Sequence, residues 1–209
     1  HNEFMTESFS RTSGIQHVAQ LWVNFPKAHK ITPPKYQALT RDMIPEVVFP
    51  SGKIRVIAGN LRAQFSSSWS EIKWNTTIQD SGLLHSVRND EILEQSGVAK
   101  TFSPVELYDI RFERWGEIVL NIPENFTTMV LVAEGEIRVW EKNLKNGDMV
   151  HLSQSGSEVL LAALDTAKVL VMAGKPFDEP VVAYGPFVMN TESEIHQAFE
   201  DFRSGKMGE

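Results

Sequence analysis

The sequence predicts an all-β protein of jelly-roll barrels with one helix near its C-terminal end. Short stretches of alternating apolar residues recur at roughly ten-residue spacing, and Gly or Pro separates them. Only the last segment carries an apolar stripe at helical spacing. Strands that alternated with long helices would show wide amphipathic segments between them, so a barrel of many short strands is favoured.

The first candidate strand covers residues 16–25, where Val18 and Trp22 alternate with Leu21 and Phe25. Pro26 and the pair at 33–34 then remove backbone donors and favour an extended connection. We therefore expect a linker over residues 27–35 and a domain boundary near Gln37. Eight further strands are predicted at residues 53–58, 105–112, 117–122, 128–132, 136–140, 149–152, 159–163 and 169–173.

One polar stretch, residues 66–99, interrupts this pattern and is rich in serine and charge. We interpret it as an insertion that lies outside the barrel and is held down by Trp69 and Trp74. Its length is a mild indication of function, because long loops without secondary structure are uncommon in compact domains.

The C-terminal segment has the signals of a helix from about residue 192 to 204. Thr191 can cap it and Glu194, three residues on, can complete a capping box. An apolar stripe follows at helical spacing, and Gly205 ends the helix. The stripe must be covered, and we expect it to pack either on residues 20–23 or on the second barrel alone; its members are Ile195, Ala198, Phe199 and Phe202.

Composition excludes several classes of function. The 209 residues carry a formal net charge of -7 and show no basic cluster, which argues against direct binding of nucleic acid. Zero cysteines exclude disulfides, zinc–thiolate sites, iron–sulfur clusters and a cysteine nucleophile, so a metal must use His and carboxylate ligands. No apolar run is long enough to span a bilayer, so no membrane contact is predicted, and the cysteine-free sequence favours the cytoplasm.

Three segments, residues 20–37, 105–139 and 179–208, resemble the pirin family in their order and spacing. The resemblance implies a double cupin, in which two β-barrels pack face to face and the first holds a mononuclear non-haem iron on three His and one Glu. Under this resemblance, residues 1–37 are the remnant of the first barrel with the linker, and residues 38–178 are the second barrel. Residues 179–209 then form a return segment and a helix that packs on the first barrel.

His1 and Glu3 stand where the family has a His-x-Glu pair of metal ligands. Alternate residues on a strand face the same side, so this spacing can present both groups to one metal. The other pair, His-x-His, does not occur in this chain, and two further His ligands are expected in sequence that precedes His1. Alternatively, His1 is the last residue of a purification tag and Glu3 is a solvated carboxylate.

The second barrel is expected to lack a metal, because Asn125, Phe126 and Thr127 occupy the His-x-His positions of the cupin motif. The resemblance then implies a quercetin 2,3-dioxygenase type of oxygenase with a small aromatic substrate such as a flavonol, in which Glu3 is both ligand and base. The alternative is a non-enzymatic, redox-sensing regulator that binds a transcription factor or a metabolic enzyme. A degenerate cupin without any metal is the third possibility.

Overall fold

The computed structural model describes residue 11 and residues 18–66 and 90–206, and the two long ranges form an all-β fold with one α-helix. The strands are β1 Glu46–Phe49, β2 Gly52–Ala58, β3 Asn60–Ser66, β4 Asp90–Ser96, β5 Val105–Phe112, β6 Gly116–Asn121, β7 Thr127–Glu134, β8 Glu136–Val139, β9 Lys142–Lys145, β10 Met149–His151, β11 Glu158–Ala163, β12 Ala167–Gly174, β13 Val182–Tyr184 and β14 Phe187–Met189. Helix α1 covers Glu192–Arg203, and a single 3-10 turn covers Lys27–His29. No helix among the described residues is long and apolar enough to cross a membrane.

Twelve strands form two six-stranded antiparallel sheets. The first sheet has the order β1-β2-β5-β12-β7-β10 and the second has the order β4-β3-β6-β11-β8-β9. Side chains at alternate positions of both sheets are buried in one shared core, as the period of two requires. The fold is the cupin type of jelly roll, and all eight predicted barrel strands are present with ends within two residues of those expected.

Tight turns at glycine close the second half of the barrel. Gly135 and Gly147 have φ angles of 81° and 86°, a left-handed conformation that glycine adopts at little cost. The inward side chains of the adjoining strands are all at most 3% exposed, and they are Val130, Val132, Ile137 and Val139. This inward face agrees with the alternation in the strands predicted at residues 128–132 and 136–140, and the turns agree with Gly as the residue that separates the strands.

The strand expected at residues 16–25 is not formed in its described part. Residues 18–25 have no strand pairing, and the Trp22 side chain is 63% exposed. Alternation along a chain indicates which residues share a face, but a strand also needs a neighbour that accepts and donates its backbone hydrogen bonds. Within the described residues no neighbour pairs with this stretch.

The prediction that residues 66–99 lie outside the barrel is wrong for their last part. Asp90–Ser96 forms β4, which pairs residue by residue with β3, from Asn60 opposite Ser96 to Ser66 opposite Asp90. β4 is an edge strand of the second sheet, where charged residues are common because one edge faces water. Because β4 is rich in acidic and amide residues, the sequence pattern did not predict it as a strand. Residues 67–89, with Trp69 and Trp74, lie outside the described residues.

Helix α1 begins with the expected capping box. The Thr191 hydroxyl accepts a hydrogen bond from the backbone of Glu194 at 3.2 Å, and the Glu194 carboxylate accepts one from the Thr191 backbone at 2.9 Å. In the described residues the helix stripe packs on the β13–β14 hairpin, where Ile195 and Ala198 are buried beside Met189. Packing of the stripe on this hairpin was neither of the two arrangements that we expected. Packing of the helix on the first barrel stays a prediction.

The linker and the boundary residue Gln37 are tied to the rest of the chain at two places. Near the start of the linker, the backbone N–H of Lys27 donates to the Glu179 carboxylate at 2.7 Å, and the Lys30 ammonium donates to the carbonyl of Val188 at 3.3 Å. Just past its end, the Gln37 side-chain amide exchanges two hydrogen bonds of 2.8 Å with the backbone of Lys100. The linker and Gln37 are thus fixed to the C-terminal hairpin and to the loop before β5.

Gly59 is predicted to be far more sensitive to substitution than Gly147. Both have φ angles near 85°, at 84° and 86°, but a Cβ on Gly59 would lie 2.5 Å from the Val105 carbonyl oxygen, whereas Gly147 faces open space. Gly147→Ala should lower the free energy of unfolding by about 1 kcal/mol, the backbone cost alone. Gly59→Ala should lower it by about 2–4 kcal/mol, since the strand pair must also move apart.

Urea unfolding of both variants measures the difference. Equal losses of stability for the two alanine variants would show that the turn at Gly59 is not tightly packed against β5.

Candidate functional site

The predicted metal ligands His1 and Glu3 lie outside the described residues, as do His17 and His85. The three described histidines are His29, His151 and His196, and all of them are exposed on separate elements. Within residues 18–66 and 90–206 no group of three or more His, Asp or Glu side chains is placed to hold a metal ion. The assignment of His1 and Glu3 as metal ligands therefore stays a prediction.

Polar side chains do meet at one end of the barrel, which we call the barrel mouth. It is formed by the β2–β3 turn at residues 59–60 and by the loops at 97–104, 122–126 and 152–157. Glu106 on β5 and Thr128 on β7 point inward there and are 6% and 4% exposed. Both pair with Ala173 of β12, so they lie in one row across the sheet.

The Glu106 carboxylate joins two strands, β3 and β5, at the mouth. One of its oxygens, Oε2, accepts the backbone N–H of Asn60 at 2.8 Å and the hydroxyl of Tyr108. Burial raises the pKa of Glu106, although both hydrogen bonds oppose that rise by stabilising the charged form. Burial, and then the neighbouring Glu106, raise the pKa of Tyr108, so its phenol stays protonated and serves as a donor.

Two hollows open at the mouth. One is a cavity of about 110 Å³, whose lining includes Phe126, Thr128, Trp140 and Glu158. Backbone hydrogen bonds hold its walls, from Ile122 to the Ser157 carbonyl at 2.8 Å and from Leu152 to the Thr128 carbonyl at 2.9 Å. The other is a shallower cleft of about 510 Å³ beside Gly59, Phe102 and Glu106.

Sequence reasoning did not select these mouth residues, although one signal for Glu106 was present. Glu106, Tyr108 and Ile110 occupy alternate positions of β5, so the carboxylate is in phase with core residues. An acid on the buried face of a strand needs hydrogen-bond partners, which marks it as unusual. The sequence around Trp140 gives no comparable indication. Trp140 directly follows β8, and its position at the mouth depends on how the backbone turns there.

A second carboxylate with an unusual environment lies on the outer face of the other sheet. Burial raises the pKa of Glu117 to about 7, and the positive charge of Arg138 opposes this rise only in part. The two residues flank Ala162 on neighbouring strands, β6 and β8, and the small alanine leaves room for their side chains to approach. This pair lies on the outside of the barrel, away from the mouth residues.

Comparisons with known proteins give matches over nearly the whole chain. Residues 107–208 match the Pirin C-terminal cupin domain. The chain is 31% identical over 208 residues to a Pseudomonas aeruginosa protein named "Putative quercetin 2,3-dioxygenase", covering 99% of this chain and 62% of that protein. Mouse Pirin is 27% identical over 197 residues, which are 92% of this chain and 57% of that protein.

Among solved structures, the crystal structure of quercetin 2,3-dioxygenase from Acinetobacter baumannii is similar, with a TM-score of 0.69 and 34% sequence identity. The match covers 90% of this chain and 55% of that one. The chain thus spans about three fifths of the length of the curated relatives, at 62% and 64% for the bacterial ones.

The raised pKa of Glu117 predicts a pH-dependent stability. The folded state binds a proton more tightly than an unfolded glutamate does, so stability falls as pH rises from about 4.5 to about 7. Glu117→Gln removes the free-energy cost of ionising a carboxyl group that is partly buried. The variant should be about 1–3 kcal/mol more stable than the parent at pH 8, a range that allows for partial exposure, and less so at pH 5.

Urea unfolding at the two pH values tests this prediction, with Glu136→Gln on the exposed side of β8 as the matched control. A gain of stability that is the same at pH 5 and pH 8, or that Glu136→Gln reproduces, would contradict it.

Proposed function

Since this chain belongs to the pirin family of cupin proteins, we propose that it is part of an iron-binding oxygenase of the quercetin 2,3-dioxygenase type. The observation that carries this proposal is the match to relatives of that name across 98–99% of the chain, including the stretch that precedes the linker. The proposed substrate is a small aromatic compound such as a flavonol.

The described barrel does not fit a metal, which supports a site on the N-terminal side. Its inward polar side chains at the mouth are Glu106, Tyr108 and Thr128, which offer one carboxylate and no imidazole. A mononuclear iron of this class needs several His and carboxylate ligands. We propose that His1 and Glu3 supply two of them and that two further His side chains complete the set.

Glu3 has a second role in this proposal, as the base that takes the proton from a substrate hydroxyl. In this proposal His1 is the neighbouring ligand, because the His-x-Glu spacing would turn both side chains to one face of an extended chain. When bound, iron supplies the one-electron and O₂ chemistry that amino-acid side chains lack.

The fixed linker supports a role for the C-terminal half in holding the first barrel. Residues 25–30 are anchored to Phe102, Glu179 and Val188, while Trp22 and Phe202 remain 63% and 64% exposed. We propose that the first barrel covers these aromatic side chains in the complete protein. Exposed aromatic groups of this size are common at domain contacts.

A non-enzymatic, redox-sensing regulator is the second candidate function, in which the partner is a transcription factor or a metabolic enzyme. The chain is also 27% identical to mouse Pirin and to Arabidopsis Pirin-1, so its relatives do not all carry the oxygenase name. The two candidates share the iron site and differ in turnover.

Substitution of His1 and Glu3 tests the proposed site in the full-length natural protein. His1→Ala and Glu3→Gln should each weaken iron binding by roughly tenfold or more, since each removes a ligand. His196→Ala and Glu192→Gln on α1 are the matched controls, because both side chains are exposed. Metal content is measured by mass spectrometry and turnover by O₂ uptake with quercetin.

Three outcomes are informative. Iron loss with loss of quercetin turnover supports the oxygenase. Iron binding by the parent without O₂ uptake favours the regulator. Unchanged iron content in both variants contradicts the assignment of His1 and Glu3.

A further inference from the structure

The small cavity at the barrel mouth has the features of a ligand site that is separate from iron chemistry. It measures about 110 Å³, well below the roughly 300–1,000 Å³ typical of sites for drug-sized molecules. A flavonol is therefore too large for it. A compact molecule of a few heavy atoms fits.

Thr128 provides a polar group at the inner wall of this cavity. Its side chain is 4% exposed and lines the hollow. A threonine hydroxyl can accept as well as donate a hydrogen bond. It can therefore present an oxygen to a molecule bound in the cavity.

Two residues with a left-handed backbone conformation lie at the same place. Among the described non-glycine residues, Trp115, Asn125 and Trp140 have positive φ angles, at 61°, 67° and 52°. Trp140 lines the cavity and Asn125 precedes its wall residue Phe126. A left-handed conformation is uncommon for a bulky side chain such as tryptophan, and such strain is often found at ligand sites.

The charges and rings around the cavity select one class of ligand. Glu158, at the exposed start of β11, is the one ionisable residue among the described residues that line it, and none of them is Lys, Arg or His. Trp140 and Phe126 add two aromatic rings, whose faces attract cations. An anion would meet a carboxylate and no positive side chain, in a chain of net charge -7.

From these features we propose that the barrel mouth binds a small organic cation of the alkylammonium type. The Trp140 and Phe126 rings enclose its alkyl groups, the Glu158 carboxylate balances its charge, and the Thr128 hydroxyl supplies an oxygen at the inner wall. The second barrel would then be a binding module in its own right, although it lacks metal ligands.

Tetramethylammonium chloride is a suitable probe, and tert-butanol is a neutral molecule of similar size and shape. Each is titrated into the ¹⁵N-labelled chain at constant ionic strength, and the indole N–H resonances are followed by NMR. Tetramethylammonium should saturate the shift of the Trp140 resonance at millimolar concentrations. It should bind at least roughly fivefold more tightly than tert-butanol, as expected for a cation on two rings and a carboxylate.

Trp140→Leu should weaken binding of tetramethylammonium roughly tenfold. Trp115→Leu is the matched control, because Trp115 is also exposed, also has a positive φ angle, and lies in the β5–β6 turn at the opposite end of the barrel. Glu158→Gln, which keeps the shape of the side chain, should weaken binding roughly fivefold and reduce its salt dependence. The backbone spectrum shows that each variant is folded.

The proposal is overturned if tert-butanol binds as tightly as tetramethylammonium, or if neither produces a saturable shift. It is also overturned if Trp115→Leu weakens binding as much as Trp140→Leu, because the cation would then bind tryptophan without regard to the cavity.

Discussion

The filling of the barrel interior by apolar side chains is the constraint on which the rest of the molecule depends. Inward positions of both sheets carry mainly Val, Ile, Leu and Ala in one continuous core, and the largest fully buried side chain is that of Tyr108. Such an interior has no room for a solvated metal site at its centre. Among the described residues of the barrel, the inward polar side chains Glu106 and Thr128 lie at the mouth, where Glu106 finds two donors and joins the β2–β3 turn to β5.

The linker and the return segment are joined to each other beside this barrel. The barrel supplies a stable body, and the linker and the return segment meet through Lys27, Lys30 and Glu179 on one side of it. Because the Glu179 carboxylate also accepts from the Asn190 side chain at 3.2 Å, the linker, hairpin and helix start are joined through one group. Under the proposed function, this arrangement would let the described barrel orient a metal-binding first barrel without sharing its ligands.

Local sequence signals were enough for most of the fold and little of the site. Alternation and glycine placed the eight barrel strands, and Thr191 with Glu194 placed the helix start, since each signal acts within a few residues. β4 and the stretch 18–25 were misjudged because strand formation depends on a distant partner. Glu106, Thr128 and Trp140 converge only after the strands pair, so sequence spacing could not reveal the mouth.

Anomalous diffraction at the iron absorption edge tests the central claim most directly, in crystals of the full-length natural protein grown with iron. The account predicts one anomalous peak per chain, bounded by His1 and Glu3, and no peak within the barrel of residues 46–174. A peak inside that barrel, or a peak elsewhere with neither His1 nor Glu3 as a ligand, would contradict the division between a metal-binding first barrel and a metal-free second one.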